Sequence, residues 1–95
     1  MASTIDEISI NYEEDGAQLV KEINKEILTR GAWTTILFQY QEWDKHKSEY
    51  GPMKYSIRRY QKRNNVYLPK SKFNISNDDQ GKKIIDVLSR WIEGS

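Results

Sequence analysis

Residues 16–29 read Gly-Ala-Gln-Leu-Val-Lys-Glu-Ile-Asn-Lys-Glu-Ile-Leu-Thr, and what this stretch forms decides the fold class. Ala17, Val20, Ile23, Ile27 and Leu28 fall at helical spacing, with Lys21, Glu22, Lys25 and Glu26 on the other side. Asp15 stands in front as a cap. Its carboxylate can accept from a free amide of the first turn, and Gln18 can reach back. Gly31, just after Thr29-Arg30, suits the left-handed residue that closes a helix. The pattern predicts a helix over 16–29.

Toward the N-terminus, Ile8, Ile10 and Tyr12 alternate with Ser9 and Asn11 as a short first strand, and residues 1–7 read as a disordered tail. Toward the C-terminus, Trp33 to Trp43 is rich in β-branched and aromatic residues and reads as a strand. Ile36, Phe38 and Tyr40 share one of its faces. Asp44 to Pro52 is polar and reads as a loop, with Trp43 closing the edge of the core. Met53, Tyr55 and Ile57 then alternate with Lys54, Ser56 and Arg58. Asn64-Asn65 suits a hairpin turn, because Asn tolerates positive φ. Pro69 confines the strand Val66–Ile75 to an edge or a bulge. Ser76 or Asn77 caps a last helix, 78–92, whose apolar face is Ile84, Ile85, Leu88, Trp91 and Ile92. Trp33 and Trp91 are expected in the core. The expected order is (β)-α-β-β-β-α: one α+β domain, 1–95, an antiparallel sheet with an N-terminal and a C-terminal helix.

Charge is segregated along this chain of 95 residues and net charge +1. Residues 1–30 carry −4, residues 31–74 carry +6 and residues 75–95 carry −1. From Tyr50 to Asn77 no side chain is acidic and seven are basic, interleaved with Tyr50, Tyr55, Tyr60, Tyr67 and Phe73. A basic, aromatic stretch between acidic ends is the footprint of a surface that meets a polyanion. With Met53, Tyr55 and Ile57 in the core, Lys54, Ser56, Arg58, Tyr60 and Lys62 share the open side. Burying Phe73 and Ile75 sends Lys70, Lys72 and Asn74 to the same side, together with Val66 and Leu68 in the absence of a bulge. The candidate nucleic-acid-binding set is Lys54, Arg58, Tyr60, Lys62, Arg63, Lys70 and Lys72. Cations neutralise phosphates and aromatic rings stack on unpaired bases, so the expected ligand is single-stranded. Two other readings of that face stand beside it: a dock for an acidic protein partner, and an ordinary solvated sheet face.

Catalytic and metal-binding signatures are missing from the sequence. Cysteine is absent, which removes disulfides, thiolate chemistry and Cys-containing zinc sites. His46 is the single histidine and lies in the polar loop without a nucleophile motif. Glu13-Glu14-Asp15 and Asp78-Asp79 stand at expected helix starts, where capping and the dipole account for them. The five glycines are scattered and build no phosphate loop. No enzyme, cofactor or metal is expected. No apolar run reaches ~18 residues and the first residues lack a signal-peptide pattern, so a cytoplasmic protein without membrane contact is expected.

The strand Ile36-Leu37-Phe38-Gln39-Tyr40-Gln41-Glu42-Trp43 and the run Lys72-Phe73-Asn74-Ile75-Ser76 before helix 78–92 resemble a known pattern. Residues 33–92 are similar to the positive-cofactor-four-like transcriptional coactivators. Asn74 stands where that family usually has glycine, and the expected helix 16–29 lies outside its core domain. The resemblance implies single-stranded DNA on a curved antiparallel sheet, a homodimer built around the helix, and a role in transcription or DNA maintenance.

Overall fold

The computed structural model describes residues 2–94, so Met1 of the expected tail and Ser95 lie outside the described residues. The stretch that decides the fold is a strand. In chain order the elements are β1 (Tyr12–Glu14), β2 (Ala17–Thr29), β3 (Trp33–Asp44), β4 (Glu49–Tyr50), β5 (Lys54–Arg63), β6 (Val66–Ile75) and α1 (Asp78–Ile92). The expected α+β order with helices at both ends is thereby corrected. One antiparallel sheet, ordered β1-β2-β3-β5-β6 with β4 beside β3, curls into a half-barrel and carries a single C-terminal helix.

The helical look of 16–29 has a physical source. Val20 pairs with Glu42 and Ile27 with Ile36, and the register slips between Glu22 and Asn24. Seven residues apart in a regular strand, Val20 and Ile27 would face opposite ways. The extra residue of the bulge restores them to one face. A bulged strand thus copies the i, i+7 spacing of a helix. The preceding Asp15-Gly16 is a two-residue hairpin turn, with φ of 53° and 82°, the pairing that matches strand twist best. The same Asp-Gly pair suits a helix cap in the sequence, and the pairing of Glu14 with Ala17 makes it a turn instead.

Asn64-Asn65 is the expected turn, with φ of 52° and 64°. Pro69 lies on edge strand β6, next to a bulge. Asn77 caps α1 by accepting from the Gln80 amide at 2.8 Å.

The core lies between the sheet's concave face and the N-terminal segment. Thr34, Ile36, Phe38 and Tyr40 of β3 point to that face, with Ser56 and Tyr60 of β5 and Tyr67 of β6. Residues 2–11 cross it as a strap. Ile8 and Ile10 insert among Ile36, Phe38, Tyr40, Tyr60 and Tyr67. Residues 2–7, expected as a tail, carry a 3-10 turn at Ile5–Glu7, and Ile5 and Ala2 pack against the core. Polar clamps hold the strap, with the Ile10 amide donating to the Glu22 carboxylate at 3.1 Å and the Glu22 amide to Asn11 Oδ1 at 2.8 Å. The Lys25 ammonium donates to the carbonyls of Ile5, Asp6 and Ile8 at 2.8, 3.2 and 2.6 Å. The Tyr67 amide donates to the Ala2 carbonyl at 2.9 Å.

This arrangement reverses the expected faces. The side bearing Ser56 and Tyr60 is the covered one, and the side bearing Tyr55, Ile57 and Phe73 is open, with Phe73 54% exposed. The reason is that Ile36, Phe38 and Tyr40 pair with Arg58, Ser56 and Lys54, so the most apolar face of β3 carries the polar face of β5 with it. Trp33 and Trp91, expected in the core, are exposed. Trp33 stacks under Arg59 with the guanidinium carbon 4.5 Å from the ring centre. Trp43 is 36% exposed and meets Tyr50 edge-on. Helix α1 meets the open face at its start. Asp78 accepts from the Tyr55 hydroxyl at 2.7 Å, and Gly81 lies over Ile75.

Replacing Lys25 with Met removes three donors from strap carbonyls while keeping the aliphatic stem. Lys25→Met is expected to lower stability by ~1–3 kcal/mol in urea unfolding and to raise hydrogen exchange at the Ile10 amide. An unchanged midpoint would show that the clamp contributes nothing.

Candidate nucleic-acid interface

Arg58 and Lys72 are direct cross-strand partners on the concave face. Like charges in that position destabilise a sheet. No salt bridge among the described residues reaches either one; the two ion pairs are Lys54–Glu42 and Arg90–Asp86. Arg58 is nonetheless fixed. Its Nε donates to Ser56 Oγ at 3.1 Å, and Ser56 Oγ donates to Asn74 Oδ1 at 2.7 Å. Ser56 is fully buried and Asn74 is its cross-strand partner. The guanidinium is therefore anchored through Nε, with the Tyr60 hydroxyl also in its reach, and it presents its charge to the cleft as an anion-binding group.

The bulge in β6 brings a third cation. Arg59 pairs with Ser71 and Tyr60 with Pro69, so Lys70 is the extra residue. Arg58, Lys70 and Lys72 line one cleft of about 310 Å³ with Pro69 and Ser71, and no carboxylate lines it. The same bulge settles the facing of Val66 and Leu68. They sit opposite Arg63 and Gln61, on the outer face and away from Lys72.

The other expected site residues are dispersed around this cleft. Lys54 shares the face but pairs with Glu42 at 2.5 Å, which raises its pKa through that hydrogen bond. Lys62 also shares the face and sits 5.7 Å from the Tyr67 ring centre. Arg63 pairs with Val66 and turns to the outer face, as Arg59 does. Tyr60 is 6% exposed and belongs to the core, so it offers no open ring for stacking. Lys45 and His46 line a separate depression with Trp43 and Lys54, beyond the cleft. Ser56 and Asn74, which orient Arg58, were expected on this face but given no role in the site. The available signal was two short polar residues at facing positions between two cations.

Comparison with protein-family models, with curated proteins and with solved structures gives no match for this chain. No cluster of three or more metal-ligating side chains occurs among the described residues, and no helix there is long and apolar enough to cross a membrane.

Burial raises the Tyr60 pKa from its ordinary 10.0, with the Arg58 guanidinium pulling the other way. Tyr55 moves in the same direction because its hydroxyl donates to Asp78. A raised folded-state pKa means that the phenol's contribution is full below about pH 10 and is lost as pH rises through the folded value. The melting temperature of the protein is expected to fall above about pH 10, and Tyr60→Phe should fall less steeply. Parallel curves would assign the alkaline loss to other groups.

Proposed function

We propose that the protein is a non-enzymatic, cytoplasmic single-stranded nucleic-acid-binding protein whose contact site is the concave cleft of Arg58, Lys70 and Lys72. One observation carries this reading: two cations stand opposed in register, in a cleft without a carboxylate, with the arginine oriented by a buried serine. Such an arrangement costs stability unless an anion bridges it, and a phosphodiester fits the guanidinium of Arg58 and the point charge of Lys72. Lys54 and Lys62, on the same face, extend the track in both directions along β5. The resemblance to the positive-cofactor-four-like family supports the same reading. In this reading the antiparallel sheet and its C-terminal helix stand for the curved sheet and the dimer helix that the resemblance implies. A role in transcription or DNA maintenance follows from the resemblance alone.

The proposed assembly is a homodimer through α1 and the outer face. Ile85, Leu88, Trp91 and Ile92 are 65, 46, 73 and 78% exposed, and Phe73 stands open on the neighbouring sheet face. At ~150–250 Å² for each aromatic, these side chains expose roughly 600 Å² of apolar surface. That approaches the ~800 Å² each partner gives to a standard interface. A second copy meets the need because an isologous contact presents the same apolar helix from both sides.

Two measurements test the proposal. A labelled single strand of about fifteen nucleotides should bind with affinity that falls roughly 20-fold between low and moderate salt, as three phosphate contacts require. Arg58→Ala with Lys72→Ala should weaken binding and flatten that salt slope by about two contacts. Binding that ignores both changes would favour the acidic-protein dock on the same face. In sedimentation equilibrium the wild type is expected as a dimer, and Leu88→Glu with Trp91→Glu as a folded monomer. A monomeric wild type at micromolar concentration would remove the second copy.

A further inference from the structure

Beside the cationic cleft, and continuous with it through Arg58 and Pro69, lies a second hollow of about 520 Å³. Glu7 and Ser9 of the strap form one wall, and Arg58, Tyr60, Tyr67 and Pro69 form the opposite wall and floor. Its size falls within the ~300–1,000 Å³ of small-molecule sites. Its chemistry differs from that of its neighbour. The cleft holds three cations and no acid, whereas the hollow holds one cation, one carboxylate, a hydroxyl and two tyrosines.

The carboxylate decides what can enter. Glu7 Oε1 accepts four hydrogen bonds, from the amides and hydroxyls of Ser3 and Thr4, at 2.9 to 3.2 Å. Those donors hold it ionised and lower its pKa. A second phosphate entering the hollow would meet that negative charge. A neutral heterocycle would not, and the walls supply hydrogen-bond donors and acceptors for its edge, over a floor to which the buried Tyr60 and Tyr67 show only their rims. Oε2 of Glu7 accepts no bond among the described residues and is free to take one from a ring N–H or amino group.

We infer that the hollow between the strap and β5–β6 takes one unstacked nucleobase from the strand whose phosphate sits on Arg58, Lys70 and Lys72. Arg58 stands at the boundary, lines both depressions and serves both. The strap thereby acts as part of the ligand site as well as part of the core. The inference rests on the single-strand reading above and adds a requirement that phosphates alone do not impose.

The test compares an oligothymidylate of about fifteen nucleotides with an abasic strand of equal length and equal phosphate count. Loss of the bases is expected to weaken binding roughly 10- to 150-fold, the range of a hydrogen bond to a charged group. Ser9 is exposed, so Ser9→Trp fills the hollow from the strap without burdening the core. Ser9→Trp should bring the oligothymidylate down to the abasic level and leave the abasic strand unchanged. Equal binding of the two strands by the wild type overturns the base site and leaves the phosphate cleft standing. A Ser9→Trp that weakens both strands alike also overturns it. If neither strand binds the wild type, the single-strand reading fails and the base site with it.

Discussion

A lone curled sheet has two faces, and this chain supplies one segment to cover one of them. The insertion of Ile8 and Ile10 beside Ile36 and Phe38 settles which face becomes interior. Everything else follows from that docking. Lys25, a cation on a strand that would otherwise point at apolar side chains, is satisfied because the strap brings three carbonyls to it. Tyr60 and Tyr67 become core residues because the strap passes over them. Where cover ends, the concave face is left to Ser56, Arg58, Lys72 and Asn74, and the polar network there replaces packing as the source of order. The Cα framework is only 17 Å through its thinnest dimension, so no second layer exists to shield the outer face.

Elements whose identity rests on local chemistry were legible in the sequence. The Asn64-Asn65 turn, the strand at Trp33–Asp44, the edge position of Pro69 and the capped helix at Asp78–Ile92 each follow from backbone preferences of a few residues. The stretch 16–29 was misread because its bulges shift the strand alternation toward a helical period, and only pairing with β3 reveals the slip. The choice of faces was misread for a related reason. Tyr55 and Ile57 are more apolar than Ser56 and Arg58, but register with β3 matters more than the composition of β5, and register is a property of two strands.

The site was legible in its charges and not in their grouping. Arg58, Lys70 and Lys72 share a cleft, but Lys70 reaches it through the bulge, where regular alternation puts all three on a fully open side. Tyr60 falls on the expected face but under the strap, and Arg63 falls on the other face. A pattern of period two carries no information about what a distant segment covers, and the strap lies some fifty residues from the strand it covers.

The bulges link architecture to chemistry. Tyr67 and Lys72 are five residues apart on β6, an odd separation that would send one inward and the other outward in a regular strand. The extra residue at Lys70 puts both on the concave face, so a core tyrosine and a cation opposite Arg58 can coexist on one strand. In β2 the slip between Glu22 and Asn24 does the same for Val20 and Ile27. Each bulge also bends the strand it interrupts, and that bending gives the concave face its depth. A flat sheet with the same side chains would spread Arg58, Lys70 and Lys72 across an open plane. The curl that lets two isoleucines of a short strap close the core is thus also what gathers three unpaired cations into a cleft.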